Sequence, residues 1–414
     1  MTISNLEELV RTPGFVENPY AAYALLRDGD HDGQSSSSFG HQVYFRHQHV
    51  SAVLRNSGFG QEHPLTPSAS RRPLVRMNPP EHTRLRALLT TALTPRSVHG
   101  LRPRVESLTD ELIWSMTRTR SADLVADFAR MLPITVICEL LGVPAADRGF
   151  VARTSADITA RPDAGEKPTA EQTATRRRSS KALRGYFRDL IRQRREKPGL
   201  DLVTRLLDAE RDGDRMDDTD VVASCVLLLV AGHTTTTDFI ANSALALLCE
   251  PDQLATLLSM PPSHTTWVEE LLRYEAPIQM MSRVAVREFT FESRSFHPGD
   301  QVIVVLGSAN RDPTAFEHPD ELNLLRASGR HLSLGMGIHS CLGAQLARLE
   351  GEVAIRALAR HLVRARFDPA DVRWRRDMVH RGPIRLPVNL NSTSTMTNID
   401  TSIARREHSG RCSL

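Results

Sequence analysis

Nine consecutive residues carry the strongest chemical signal in the chain: Gly335-Met336-Gly337-Ile338-His339-Ser340-Cys341-Leu342-Gly343. A cysteine follows a loop with glycines at alternate positions. It precedes Ala344-Gln345-Leu346-Ala347-Arg348-Leu349-Glu350, a strong helix-forming run. Glycine reaches backbone conformations closed to other residues and lets the chain approach a flat ligand closely. A thiol at the start of a helix sits where the positive end of the dipole favours its anion. A thiolate presented in this way suits the axial position of a haem iron. A packed core cysteine beside a helix cap is the plainer reading of a lone Cys.

Three other segments hold reactive types at helical spacing. Glu270-Leu271-Leu272-Arg273 sets a carboxylate and a guanidinium at i and i+3, facing each other on a helix. Ala231-Gly232-His233-Thr234-Thr235-Thr236-Thr237 lies inside the longest apolar helix, where the glycine costs about 1 kcal/mol of propensity. Its hydroxyls can bond back to carbonyls and bend the helix, leaving either a bare kink or a groove for dioxygen. His82 and Arg86 share a helix face within Asn78-Pro79-Pro80-Glu81-His82-Thr83-Arg84-Leu85-Arg86.

Together these segments resemble the cytochrome P450 family, over roughly residues 15 to 390. The cysteine loop is similar to the family's Phe-Gly-x-Gly-x-His-x-Cys-x-Gly, with Leu334 in place of the Phe. The resemblance implies Cys341 as iron ligand, haem b as cofactor, and Leu334, Gly335, His339, Gly343 and Ala231 around the haem. His82, Arg86, Arg283 and His339 match contacts to the propionates, with Asn78 replacing an Asp, while His331 reads as loop packing. Glu270 and Arg273 match the Glu-x-x-Arg pair, joined by Arg326 of Pro319-Asp320-Glu321-Leu322-Asn323-Leu324-Leu325-Arg326 in a buried structural network.

The helix motif resembles Ala-Gly-x-(Asp/Glu)-Thr-Thr, with Thr235 as the hydroxyl that supports dioxygen activation. Thr234 stands where the family has its acid. A carboxylate there relays protons from solvent, whereas a threonine passes a proton without being an acid. Asp238 lies one helical turn beyond Thr234, so Asp238, His233 or ordered water is expected to rebuild the relay, unless Asp238 is simply a solvent-facing charge. By the same resemblance Leu227, Val230 and Ala231 line the substrate pocket, with Ile278, Gln279, Met280 and Met281 from a bordering strand.

The fold so implied is mainly α, the triangular prism of about a dozen helices with a minor β region. The implied activity is monooxygenation of a small-molecule or carrier-bound substrate, with two electrons from a ferredoxin and its reductase or from a flavodoxin. Arg84, Arg348 and Arg356 are expected to form the basic face for that acidic partner. The same fold also supports oxidative coupling or ring formation, and peroxide-driven oxidation. From another class comes a non-catalytic haem or carrier-protein-binding module, against which the retained Cys341 argues.

These groups need elements to position them. The 414 residues are 40% hydrophobic with a net charge of +3, enough for a large core and without the excess of a nucleic-acid protein. The N-terminus lacks a signal pattern, and the apolar run Val221 to Gly232, about twelve residues, is too short to span a bilayer. The cysteines at 138, 225, 249, 341 and 412 show no paired spacing and point to a reducing compartment. The expectation is a cytoplasmic monomer of the soluble bacterial type, with no membrane or nucleic-acid partner.

Apolar spacing predicts helices over Pro19–Arg27, Pro80–Leu93, Val105–Met116, Ala122–Leu141 (broken at Pro133), Arg178–Arg194, Asp218–Cys249, Trp267–Tyr274 and Cys341–His361. Strands are expected at His41–Phe45, Phe289–Glu292, Gln301–Leu306 and Ile384–Leu390. Ser57–Asn78 and Ala160–Thr175 read as mobile loops. One domain is expected over 1–390, with a disordered tail over 391–414.

Overall fold

The computed structural model of the chain describes residues 8, 10, 12–29, 33–37, 40–64, 73–119, 121–163, 166–327 and 329–390, so the expected tail over 391–414 lies outside the described residues. Its helices are α1 (Tyr20–Arg27), α2 (His47–Arg55), α3 (Glu81–Ala92), α4 (Arg102–Thr117), α5 (Met131–Leu140) and α6 (Arg148–Thr159). They continue with α7 (Ala170–Glu196), α8 (Leu202–Asp208), α9 (Asp218–Cys249), α10 (Pro251–Ser259), α11 (Trp267–Tyr274) and α12 (Ala344–Leu362), besides short turns. The mainly α architecture is as expected.

Helix α9 is the axis of the molecule. Asp217 caps it by accepting from the Asp220 N–H, Asp218 and Asp220 complement the dipole in its first turn, and Pro251 follows its end. The predicted bounds, Asp218–Cys249, coincide with the observed ones. Its 32 residues are long and apolar enough to cross a membrane by length and composition, beyond the twelve-residue run noted above. Leu229, Ile240, Ala241, Ala244 and Leu247 are nonetheless buried in the main hydrophobic cluster, as befits a core helix.

Two expectations are corrected by local chemistry. Ala160–Thr175 is not all loop: Thr169 and Gln172 form a capping box that starts α7 at Ala170. Ala122–Leu141 is not one helix, since Ser121–Asp123 is a strand and Leu124–Ala129 a π-helical turn before α5. The change of path falls at Arg130, and Pro133 sits in the first turn of α5, where its missing N–H is tolerated.

Strands β1 (Gln34–Ser36), β2 (Gln42–Tyr44), β3 (Phe59–Gly60), β4 (Met280–Ala285) and β5 (Gln301–Val305) form one sheet in the order β1-β2-β5-β4-β3. Only β2 and β5 run parallel within it. The expected strand Ile384–Leu390 is two, Pro383–Arg385 and Pro387–Asn389, the second pairing with Ser121–Asp123. Thus a sheet on one side and α9 with α12 on the other frame the cysteine loop. Cys138, Cys225 and Cys341 carry free thiols.

Candidate active site

The loop before α12 is shaped by its own hydrogen bonds. The Gly335 N–H donates to Leu332 O (2.8 Å), Ser340 N–H to Gly337 O (3.1 Å) and Cys341 N–H to Leu334 O (2.8 Å). Gly335 and Gly337 have φ of +68° and +73°, a region that other residues enter only with strain. A Cβ on Gly337 would stand 2.4 Å from the backbone oxygen of Leu54 in α2, so that residue also lets the loop lie against the neighbouring helix. Gly337→Ala is therefore expected to cost at least ~1–2 kcal/mol. A fall in both melting temperature and haem content of the purified protein would show it, and an unchanged pair would contradict it.

The Cys341 side chain is accessible, three residues ahead of α12, whose cap is Gly343. Burial among surrounding protein raises its thiol, and the Gly343 N–H, Arg86 and Arg348 offset this only in part. A cation held by the sulfur would favour the thiolate further, in the direction these groups already act.

Beside the loop stand four donors with no carboxylate among the described residues to balance them. His82 and His339 pack ring to ring at 4.2 Å between centroids, and both nitrogens of His82 and Nε2 of His339 are buried without hydrogen-bond partners. Burial, then His82, Arg283 and Arg86, hold the His339 imidazole down at about 3. Burial alone pushes the Arg283 guanidinium down to about 10. Arg86 reaches Ser340 Oγ at 3.3 Å, and burial lowers its guanidinium as well. Orphaned donors of this kind are costly unless an anion meets them. Two carboxylates, the charge carried by haem, fit that requirement.

Helix α9 supplies the opposite wall. Leu227, Ala231 and Thr235 recur at i, i+4 and i+8 and keep some exposure, as do Val226, Leu228 and Gly232 in the same stretch of the helix. Val230 is also partly exposed. The Thr235 hydroxyl donates to Ala231 O (2.9 Å) and the Thr236 hydroxyl to Gly232 O (3.0 Å). His233 Nδ1 lies 2.8 Å from Leu229 O, which can only accept, so Nδ1 carries the proton and Nε2 accepts from Thr234 Oγ1 at 3.4 Å. Burial first, then Arg130 and Arg375, keep His233 neutral by lowering its pKa.

Asp238 takes a different place from the one expected. It is fully buried, Oδ1 accepts from Arg375 Nη2 at 2.9 Å, and it shares no hydrogen bond with Thr234. Burial raises its carboxyl despite Arg375 and His380. It is neither a solvent-facing charge nor a partner of Thr234, because a distant segment folds back to claim it.

The substrate-facing expectations divide. Ile278 and Met281 keep partial exposure, but Gln279 and Met280 are buried at 3% and 5%. Gln279 Nε2 donates to Ala276 O (2.8 Å), and Met280 packs with Tyr20, Tyr23 and Phe45. Met280, the first residue of the strand, thus belongs to the sheet's second core, and Gln279 just before it is tied down in the interior.

Glu270, Arg273 and Arg326 meet in a buried network. Arg273 forks onto Glu270 at 2.7 and 2.9 Å, and Arg326 Nε lies 3.1 Å from both carboxylate oxygens. Arg273 also donates to the carbonyls of Asn310, Pro319 and Glu321. Beside them are residues that spacing did not single out. Asn310 accepts from Leu332 N–H and donates to Ser333 Oγ, both at 2.7 Å, and Ser333 donates to Leu272 O at 2.6 Å, tying α11 to the start of the cysteine loop. No local signal marks them, since each contact is long-range.

The expected basic docking face is not free. Arg348 forks onto Glu269 at 2.7 and 2.9 Å, and His331 shares that carboxylate at 3.0 Å. Burial pushes Glu269 up, but these two partners outweigh it and hold the carboxyl at about 2. Arg84 is shared by Glu81, Asp214 and Asp220, and Arg356 binds the Met260 and His264 carbonyls beneath Trp267. Arg84 and Arg348 are thus compensated by carboxylates, whereas Arg356 meets only carbonyl oxygens.

Comparison with known proteins bears on this geometry. The cytochrome P450 family signature matches residues 252–363. The polyketide biosynthesis cytochrome P450 PksS of Bacillus subtilis (strain 168) is 40% identical over 75% of this chain and 76% of its own length. Its solved structure superposes with a TM-score of 0.84, covering 92% of this chain and 99% of that one. The monooxygenase PikC of Streptomyces venezuelae is 36% identical over 90% of this chain and 91% of its own. The structure of P450BioI in complex with an acyl carrier protein ligated to hexadec-9Z-enoic acid matches with a TM-score of 0.83 and 31% identity, covering 91% of this chain and all of that one.

Proposed function

The chain belongs to the cytochrome P450 family, with haem b as its cofactor, and on that footing we propose that it oxidises a small or carrier-bound organic substrate of natural-product metabolism. The reading adds a ferredoxin system, or a flavodoxin, as the source of two electrons, and a cytoplasmic monomer as the working form. The observation that carries it is the cluster of His82, Arg86, Arg283 and His339 beside the Cys341 loop, with buried ring nitrogens that lack a partner and no carboxylate among the described residues to balance it. Held by the Cys341 thiolate, haem supplies dioxygen activation.

The chain's own residues do the rest. Arg86 and Arg283 would neutralise the two propionates, and the neutral His82 and His339 would orient them by hydrogen bonds. Leu227, Val230 and Ile278 would exclude water and hold an apolar substrate. Ala231 and Thr235 face the same cleft, and the Glu270–Arg273–Arg326 network would keep the loop at fixed height.

The proton supply turns on Thr234, which stands where the family pattern that the chain resembles has its acid. As placed, neutral His233 accepts from Thr234 and offers it no proton, while the Thr235 hydroxyl is turned back to Ala231 O. Thr234→Glu would restore an acid, and coupling of reductant to product is expected to rise several-fold. Unchanged or lower coupling, measured as product per NADH consumed, would count against this assignment. The same geometry favours a second reading, peroxide-driven oxidation, which needs neither the electrons nor that relay. Turnover in labelled dioxygen with a ferredoxin and its reductase separates the cases. One labelled oxygen in the product supports monooxygenation, no inserted oxygen means oxidative coupling, and product from peroxide alone supports the second reading.

A further inference from the structure

Helix α7 carries nine basic and three acidic residues, an excess larger than the +3 net charge of the entire chain. Part of that charge is spent at home: Arg178 pairs with Glu171, Arg192 with Asp189, Arg194 with Asp201 and Arg195 with Asp218. Another part is not. Arg177, Lys181, Arg184 and Arg188 recur at helical spacing on one face, and among the described residues none has a carboxylate within ion-pairing distance. With Arg176 and Ser180 they line an open, shallow groove of about 410 Å³ between side chains of this one helix. Like charges one turn apart repel, so the arrangement stabilises nothing within the fold.

We propose that this groove docks an acidic carrier protein, whose phosphodiester and carboxylates the guanidinium forks would grip. The inference rests on the carrier-bound form of the functional reading. Charge and position both favour that occupant. Apart from α7 the chain is net acidic, so the excess of positive charge belongs to this one helix, a footprint that suits a small acidic protein better than a long polyanion such as nucleic acid. Contacts also link the groove to the segment that pairs with Ile278. Arg176 Nη2 donates to Ala160 O at 2.5 Å. The adjacent Arg161 and Asp163 reach Asp377 (3.9 Å) and Arg376 (3.2 Å). His380, in the same C-terminal segment, forms a β-bridge with Ile278 at the pocket edge. A carrier on α7 thus places its prosthetic arm at the segment that borders the cleft.

The test is the dissociation constant of a fluorescently labelled, acylated acyl carrier protein, read by anisotropy at low and at moderate salt. The triple change Arg177→Glu, Arg184→Glu, Arg188→Glu is expected to weaken binding about tenfold or more, and added salt to weaken the unaltered protein. The charge-preserving triple change to Lys should keep most of the affinity. Absence of saturable binding, or equal binding by the Glu variant, overturns the proposal. So does a Glu variant that keeps the carrier but loses phosphatidylglycerol vesicles, which would assign the groove to a membrane surface. The reduced, carbon monoxide-bound spectrum of each protein separates this from the parent reading: a thiolate-type band with no carrier binding sinks the docking site alone, while its absence sinks the enzyme assignment.

Discussion

Cys341→Ser is expected to leave a folded protein that has lost its monooxygenase turnover. The change removes one sulfur from an accessible side chain and touches none of the loop's backbone bonds, which run Gly335 to Leu332, Ser340 to Gly337 and Cys341 N–H to Leu334. The four donors His82, Arg86, Arg283 and His339 remain to hold the propionates, so haem content should fall less than activity. What is lost is the electron-rich axial ligand that favours O–O cleavage. Pairing haem content by absorbance with product formation checks this. Turnover persisting at a comparable rate would remove Cys341 from the iron.

Glu270→Ala is expected to be the most damaging change outside that loop. It strips the only carboxylate among the described residues from Arg273, which is 2% exposed, and from Arg326, and leaves Asn323 N–H without its 2.9 Å acceptor. Removing one member of a buried ion pair costs about 3–5 kcal/mol, because the other charge stays buried and uncompensated. Arg273 also holds the Asn310 carbonyl, and Asn310 in turn fixes Leu332 and Ser333, so the disturbance reaches the cysteine loop. Thermal unfolding and the haem-loaded fraction of the soluble protein should fall together. Glu270→Gln keeps shape and some hydrogen bonds and should fall between. A melting temperature within error of the unaltered protein would mean that the network does not support the loop.

How far the sequence reads through to the structure depends on how local the determining contacts are. The bounds of α9 and α11 were legible because caps, acidic first turns and apolar spacing act within a few residues. The cysteine loop was legible for the same reason, since its glycines and its cysteine lie within nine positions. Partners across the fold were not. Arg375, which claims Asp238, lies 137 residues away, and Glu269, which claims Arg348, lies 79 away. Gln279 and Met280 carry no local sign of which core their strand will turn them toward. The stripe on α7 was hidden for another reason. In composition it is one arginine-rich segment among many, and only the pairing of its neighbours shows which cations are left over.

The central claim is that Cys341 holds a haem iron as its thiolate. The absorption spectrum of the purified, reduced protein under carbon monoxide tests it most directly, with no substrate or redox partner required. A Soret band at the long-wavelength position typical of thiolate ligation, lost in Cys341→Ser, is the predicted result. A band at the position typical of a histidine ligand, or one unchanged by that substitution, would contradict the account.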